Sequence, residues 1–300
     1  MYFPITDVTV NPFLLALIGF AVGILGGFFG VGGGFIAGPM MYLLGVPMNF
    51  VVGTDLAHMT GKSIVGMRRH WALGHVDVRL GVLMVLGTVP GVEAGARVIE
   101  YLKANGSIDL ILGSIYIMVL LLISAFTAWE SWLALKMPKT DQAQARDSLA
   151  FTALSQRMQR LRLPPVISFP HSGIAEISAW VVLGLGFLSG LLAGMLGVGG
   201  GFIRMPLLVY VVGVPTHVAV GTDLFEIVIS AGYGTLTHSF KGNVDILMAL
   251  VMHTGAAVGA QIGAVATTYF AGPRIRLAFS SLPLLGAALM LYRLLTGGSV

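Results

Sequence analysis

Long apolar stretches that are almost free of charge constrain the fold of this chain more than any other feature. One of them runs from Ile108 to Trp132 and carries acidic residues only near its two ends, Asp109 and Glu130. Because about 20 apolar residues cross the hydrocarbon core of a bilayer, roughly eight regions are predicted to span a membrane. They lie near residues 13–45, 49–66, 78–101, 108–133, 177–213, 217–236, 245–270 and 277–295. Only 10% of the residues are charged, against about 25% in soluble domains, so we expect an all-α polytopic membrane protein.

The rest of the composition excludes several classes of protein. The chain has no cysteine, which excludes disulfides, thiolate metal sites and cysteine nucleophiles. No Ser–His elbow or paired-histidine metal motif stands out, so we expect neither an enzyme nor a resident metal or cofactor. The net charge of +4 is attributed to loop lysines and arginines that set topology, not to a nucleic-acid surface. The opening MYFPITDVTVNPF lacks Lys and Arg, so we expect no cleavable signal peptide.

The heptapeptide GVGGGFI occurs twice, at Gly30–Ile36 and at Gly197–Ile203. The similarity continues downstream, first at an offset of 167 residues and then at 168, because one residue is gained. The matched elements include GVP, GTDL, a His-x-x-x-Gly-x-Val-Asp loop and a GxxxGxxxG stripe. Two homologous repeats of about four apolar regions each are therefore predicted.

A polar connector separates the two predicted repeats. We divide the chain into an N-terminal membrane repeat (1–135), a connector (136–175) and a C-terminal membrane repeat (176–300). The middle of the connector, Asp147–Leu163, can form a basic amphipathic helix or a plain solvated linker. Its lysines and arginines place it in the cytoplasm. The loop charges do not decide between parallel and inverted repeats, and the absence of basic residues at the N-terminus favours inversion.

Each GVGGG segment breaks a helix inside an apolar region, where a glycine costs about 1 kcal/mol of helix propensity relative to alanine. Paired interrupted helices in the two halves of a transporter point to its substrate site. Backbone N–H groups released at such a break can bind an anion. The glycine stripes of the following spans lie on unbroken helices and are expected only to pack: Gly87, Gly91, Gly95, Gly255, Gly259 and Gly263.

A polar stripe follows each break. Asp55, His58 and Lys62 share one helical face, and the repeat places Asp223, Glu226 and Ser230 at the same positions. Ionisable groups inside membrane spans mark functional sites by default, although a structural ion pair between Asp55 and Lys62 or His58 is the alternative. Further polar residues are the matched pair Glu93 and Gln261, the unmatched His253, and Arg204, which occupies the place of Ala37 and is either an anion-binding cation or a surface residue.

The motif pair GVGGGFIAGP and GVGGGFIRMP, with the GVP and GT elements and the HWALGHVD and HSFKGNVD loops, resembles the sulfite exporter TauE/SafE family, also called the TSUP family. The resemblance covers nearly the whole chain except the N-terminal dozen residues and the connector. It implies a bacterial-type multi-pass protein of the cell (inner) membrane that moves sulfite, thiosulfate or related organosulfonates. Relatives often have Ser or Asn after the GT element, where this chain has Asp55 and Asp223. Two ionised acids would repel an anion, so the difference suggests that they take up protons.

The expected mechanism combines these features in a secondary transporter that works by alternating access between the halves. The proton-coupling residues are predicted to be Asp55, His58, Asp223 and Glu226. A cation or proton transporter using the same acids is the alternative, because hard cations prefer oxygen ligands. Lipid, the anion and protons are the expected partners, and a homodimer is left open. The predicted substrate-binding residues are Gly32, Gly33, Gly34, Phe35, Thr54, Lys62, Gly199, Gly200, Gly201, Phe202, Arg204 and Thr222.

Overall fold

Helices dominate the computed structural model, which describes residues 1–29, 34–104, 108–136, 153–161, 163–269 and 273–296. The first half consists of a short hairpin, β1 (Tyr2–Phe3) and β2 (Val8–Thr9), and of helices α1 (Pro12–Phe29), α2 (Gly34–Leu43), α3 (Met48–Ala72), α4 (Val78–Ala104) and α5 (Ile108–Lys136). The connector contributes α6 (Ala153–Arg160) and a hairpin of β3 (Val166–Phe169) and β4 (Ile174–Ser178), joined by a 3₁₀ turn at Pro170–Ser172. The second half consists of α7 (Ala179–Leu196), α8 (Gly201–Pro206, continued by π-helical turns over Leu207–Val212), α9 (Thr216–Phe240), α10 (Ile246–Tyr269) and α11 (Pro273–Leu295).

Five helical segments among the described residues are long and apolar enough to cross a membrane: Pro12–Phe29, Val78–Ala104, Ile108–Trp129, Ala179–Leu196 and Ile246–Ala266. Helices α3 and α9 have 25 residues each, about 37 Å of helix at 1.5 Å per residue, and they carry the polar stripes. The prediction of a helical multi-pass membrane protein is therefore confirmed. The two regions predicted to be broken, 13–45 and 177–213, each form two helices, α1 with α2 and α7 with α8.

Helices of one half pack mainly against helices of the other. The most extensive contacts are those of α1 with α10 and of α4 with α7. Within each pair the two helices are parallel, because successive glycines of one helix meet successive residues of the other in the same order. A methyl group on any of these glycines would collide with a carbonyl oxygen of the facing helix. The packing role predicted for the stripes is thus confirmed. The glycines at the two interfaces are Gly19, Gly23, Gly27, Gly255, Gly259 and Gly263 between α1 and α10, and Gly87, Gly91, Gly95, Gly186, Gly190 and Gly194 between α4 and α7.

Helices α3 and α9 pack against each other in opposite directions. Gly53, near the start of α3, contacts Asn243 in the loop that follows α9. Gly221, near the start of α9, contacts His75 in the loop that follows α3. We call the end of the bundle that holds residues 73–77 and the β3–β4 hairpin the connector-side end, and the end that holds residues 241–245 and the β1–β2 hairpin the N-terminal-side end.

At the connector-side end, Asp77 links three parts of the chain. Its backbone N–H donates to the Thr222 hydroxyl of α9 at 2.9 Å. Its carboxylate accepts from the Leu80 N–H in the first turn of α4 at 3.1 Å and from the Ser172 hydroxyl of the β3–β4 hairpin at 2.6 Å. Asp77 therefore caps α4 and fastens it to the second half.

At the N-terminal-side end, Asp245 makes the same three kinds of contact. Its N–H donates to the Thr54 hydroxyl of α3 at 3.0 Å. Its carboxylate accepts from the Met248 N–H in α10 at 3.0 Å and from the Thr6 hydroxyl of the β1–β2 hairpin at 3.2 Å. The matched acids thus hold equivalent places, and each is completed by residues of the other half.

The described part of the connector helix ends at Arg160, before the predicted end at Leu163. Helix α6 covers Ala153–Arg160, whereas residues 147–152 and 162 of the predicted amphipathic segment lie outside the described residues. Arg157 and Arg160 are exposed, and Gln159 donates to the Val212 carbonyl at 2.9 Å. The helix is therefore attached to the end of α8.

Candidate functional site

The break between α7 and α8 requires glycine. Gly197, Gly199 and Gly200 have φ angles of +74°, +65° and +73°, in the left-handed region that glycine adopts without a steric penalty. A side chain on Gly197 would also collide with the backbone of Val52 in α3. The chain therefore turns sharply against the N-terminal half of α3, and α8 begins at Gly201 with the buried Phe202.

The start of α2 meets this break. Gly32 and Gly33 lie outside the described residues, and α2 begins at Gly34 and the buried Phe35. A methyl group on Gly34 would come within 2.8 Å of the Val198 Cα and 2.6 Å of the Asp55 Oδ2. The end of the first break thus touches both the second break and the polar stripe of α3. Tyr116 of α5 donates to the Gly34 carbonyl at 2.9 Å and fixes this position.

The stripe of α3 forms a buried polar group, which we call the Lys62 cluster (Asp55, His58 and Lys62). These side chains are 1–2% exposed, and Nδ1 of His58 lies 3.2 Å from Oδ1 of Asp55. Three further polar atoms have no hydrogen-bond partner among the described residues: Lys62 Nζ, His58 Nε2 and Asp55 Oδ2. Because an unsatisfied buried polar group costs about 1–3 kcal/mol, three of them in one cluster make it a candidate binding site.

The stripe of α9 forms a different group, the Arg204 cluster (Arg204, Asp223 and Glu226), which is completely buried. Arg204 Nη1 lies 2.8 Å from Oδ1 of Asp223 and also pairs with Glu226. Its Nε donates to Ser189 Oγ at 3.2 Å, and its Nη2 donates to the Gly199 carbonyl at 3.1 Å. Every nitrogen of the guanidinium group therefore contacts the protein, and Arg204 is buried and not a surface residue.

The two clusters differ in the polar atoms that have no partner among the described residues. In the Lys62 cluster these are two potential donors, Lys62 Nζ and His58 Nε2, and one acceptor, Asp55 Oδ2. In the Arg204 cluster they are two carboxylate oxygens, Asp223 Oδ2 and Glu226 Oε1, which are acceptors. One arginine there faces two acids, so full ionisation would leave one uncompensated negative charge in a dry interior, which is costly.

Three further predicted polar residues, Thr54, Thr222 and Glu93, belong to neither the Lys62 cluster nor the Arg204 cluster. Thr54 and Thr222 accept the N–H groups of Asp245 and Asp77, so these hydroxyl oxygens link the two halves. Glu93 pairs with Arg97 at 3.0 Å and is 30% exposed, so it does not join the buried clusters. In the part of the chain that the structure describes, no group of three His, Asp or Glu side chains is arranged to hold a metal ion.

Sequence reasoning gave little weight to His253, which the fold brings to the Lys62 cluster. Its ring lies on Gly61 of α3, next in sequence to Lys62. The repeat gives no signal for this residue, since the equivalent position in the first half is Val85. Only the packing of α10 against α3 reveals the contact.

A group of histidines lies at the connector-side end. Nδ1 of His70 is 3.3 Å from Nδ1 of His75, and the His75 ring centroid is 5.0 Å from that of His217. His171 contributes through a 2.9 Å hydrogen bond from its Nε2 to the Gly74 carbonyl. Burial, followed by the neighbouring His217 and His171, lowers the pKa of the loop residue His75 below 6.5. Protonation of His75 is therefore disfavoured in the folded protein.

Comparison with known proteins identifies the family of this chain. Residues 15–290 match the model of a family described as sulfite exporter TauE/SafE. The chain belongs to the TauE/SafE family. It is 27% identical to the probable membrane transporter protein YunE of Bacillus subtilis, over 84% of this chain and 86% of that protein. It is 24% identical to the probable membrane transporter protein YdhB of the same organism, over 93% and 100% of the two chains.

A similar match joins the chain to an archaeal protein. The probable membrane transporter protein MJ0441 of Methanocaldococcus jannaschii is 23% identical, over 90% of this chain and 91% of that protein. No solved structure gives a significant match. The family and these relatives identify the protein as a membrane transporter and not an enzyme.

Proposed function

We propose that this protein is a secondary transporter that moves a small sulfur-containing anion, such as sulfite, thiosulfate or an organosulfonate, across the cell inner membrane. The observation that carries the proposal is the Lys62 cluster, which lies beside the start of α2 and the second helix break. It holds two buried donors, Lys62 Nζ and His58 Nε2, that have no partner among the described residues. The family description supports the sulfur chemistry of the substrate.

In this proposal the anion binds on the side of the first half. Lys62 Nζ supplies the positive charge, and His58 Nε2 is a second donor. The N-terminal turn of α2, from Gly34 and Phe35, favours negative charge because backbone N–H groups at a helix start lack intrahelical partners. From the second break, Gly199–Phe202 would complete the site. Arg204 is not assigned to the substrate, because its nitrogens already bind protein groups.

The proposed coupling proton is carried by the acids. In the Arg204 cluster a proton on Asp223 or Glu226 balances the charge against one arginine. In the Lys62 cluster Asp55 shares a hydrogen bond with His58, so a proton there changes the charge that the anion meets. An anion and a proton would then cross together, which keeps the buried site close to neutral.

The transport cycle that we propose is alternating access between inverted repeats. Supporting contacts are the reciprocal pairs α1 with α10 and α4 with α7, the opposite directions of α3 and α9, and the equivalent links of Asp77 and Asp245. The repeats 1–135 and 176–300 would rock about the break. The connector-side end, with Arg68, Arg69 and Arg79 and the basic connector 136–175, is proposed to face the cytoplasm.

The test is flux in proteoliposomes that contain the purified protein and radiolabelled sulfite or thiosulfate. We expect exchange of at least one anion at equal pH on both sides, and faster accumulation when a pH gradient is imposed. The variants Asp55→Asn and Asp223→Asn should keep exchange and lose the response to the gradient. Absence of flux for every sulfur anion would refute the substrate class, and an unchanged gradient response in both variants would refute the coupling.

A second candidate function is cation or proton transport by the same acids. It is favoured by the unpartnered carboxylate oxygens of Asp55, Asp223 and Glu226, since hard cations bind such oxygens. The same vesicles distinguish the two functions. Flux of a monovalent or divalent cation that needs no sulfur anion would support this candidate instead.

A further inference from the structure

The packing of α10 on α3 places one more ionisable group beside the Lys62 cluster. The His253 ring lies so close to α3 that a methyl group on Gly61 would come within 2.7 Å of its Nδ1. Glycine at position 61 therefore allows the ring to lie directly on the backbone of α3. The repeat puts Val85 at this position in the first half, so the arrangement has no counterpart beside the Arg204 cluster.

The surroundings of His253 point to a role in proton movement. Its Nδ1 is buried and has no partner among the described residues. Lys62 and His58 of α3 are close enough to interact with it electrostatically. Helix α1, which packs on another side of α10, contributes no ionisable side chain. Among the described residues of α1 and α3, the ionisable groups beside His253 are therefore Lys62 and His58 of the Lys62 cluster.

The position of His253 along α10 also bears on whether its ring borders lipid or water. His58 and Lys62 are almost completely buried, whereas His253 is partly exposed. It lies seven residues after the first residue of α10, about 10 Å of helix from the N-terminal-side end. A polar ring that is partly exposed at this depth is costly against lipid, so such a group is expected to border water.

We propose that His253 relays protons between the N-terminal-side end and the Lys62 cluster. A proton taken up at one ring nitrogen leaves from the other and passes, directly or through water, to Nε2 of His58. The ring returns to neutral when the proton leaves, so the step is balanced without another reactant. The proposal rests on the proposed function, because it assigns a route to the coupling proton.

The experiment separates proton movement from anion movement in proteoliposomes of the full-length protein, with radiolabelled thiosulfate and sulfite as probes. Exchange at equal pH measures anion movement alone, and accumulation driven by a pH gradient measures coupling. The variants are His253→Val, which introduces the residue of the equivalent position, and His253→Gln. Thr254→Val, an exposed neighbour on the same helix, is the matched control.

Both His253 variants should keep exchange within about twofold of the unmodified protein and lose gradient-driven accumulation by about tenfold or more, the scale of a lost proton-transfer group. The Thr254→Val control should keep both. Unchanged accumulation in either His253 variant would overturn the proposal, and so would a parallel loss of exchange and accumulation, which indicates a structural role. If the unmodified protein exchanges neither probe, the proposed function itself fails, and the relay fails with it.

Discussion

Arg204 and Lys62 are both buried but have different surroundings. We therefore expect Arg204 to stabilise the fold and Lys62 to be needed for transport. Replacing Arg204 by Met leaves Asp223 and Glu226 buried beside each other without their cation. Removing one partner of a buried ion pair costs about 3–5 kcal/mol, and we expect a loss of that size in the free energy of unfolding. Replacing all three residues by apolar ones, with Asp223→Leu and Glu226→Met added, should restore most of it, because no uncompensated charge remains.

Lys62→Met should impair transport and leave stability nearly unchanged. Lys62 Nζ has no hydrogen-bond partner among the described residues, so its removal breaks no hydrogen bond, and the lost attraction to Asp55 is offset by relief of the cost of burying the ammonium charge. We expect the free energy of unfolding to change by no more than about 1 kcal/mol, while anion flux is lost. Asp55 keeps its contact with His58 at 3.2 Å in this variant.

The assay for this pair is a titration of the purified protein in mixed micelles with a denaturing detergent, followed by tryptophan fluorescence. Flux of labelled sulfite and thiosulfate is measured on the same preparations. The reasoning would be refuted if Arg204→Met were as stable as the unmodified protein and impaired only in transport. It would also be refuted if Lys62→Met transported normally.

Three further predictions concern the frame around the site. Gly190→Ala should destabilise the protein by about 1–3 kcal/mol, because the added methyl group collides with a carbonyl oxygen of α4. Gly184→Ala on the same helix has open space for the methyl group and should leave stability unchanged. Unfolding in denaturing detergent compares the two variants. Because the folded-state pKa of His75 is lowered, its contribution to stability is present above the unfolded pKa of about 6.5 and is lost as pH falls through the folded pKa. His75→Gln should therefore flatten the acid side of a melting-temperature profile, and an unchanged profile would count against this. Asp77→Ala and Asp245→Ala should each cost about 1 kcal/mol or more, and a large difference between them in the unfolding assay would contradict equivalent capping.

Much of the frame could be predicted from local patterns. The glycine stripe that includes Gly87 and Gly91 predicts close helix packing wherever it occurs, because it requires only a facing helix. The spacing of Asp55, His58 and Lys62 places them on one face of any helix. The match of Asp77 with Asp245 follows from the repeat register.

The pairing inside the site could not be predicted in the same way. Alignment of Arg204 with Ala37 shows that the halves differ in charge, but the partners of the arginine depend on how α8 folds back against α9. His253 has no repeat partner, and its contact with Gly61 joins residues far apart in sequence. Such contacts depend on tertiary packing, and nothing in the local sequence encodes them.

The exchange of partners between the halves has a consequence for biogenesis. Helix α1 lies against α10, which begins more than 200 residues later in the chain. During synthesis the glycine face of α1 must therefore remain in the lipid without its final neighbour until the second half has been inserted. Closing so long a loop costs chain entropy, and the first half alone lacks the helices against which it packs. Helices α4 and α7, separated by α5 and the connector, can meet earlier and would be the first inter-half contact to form.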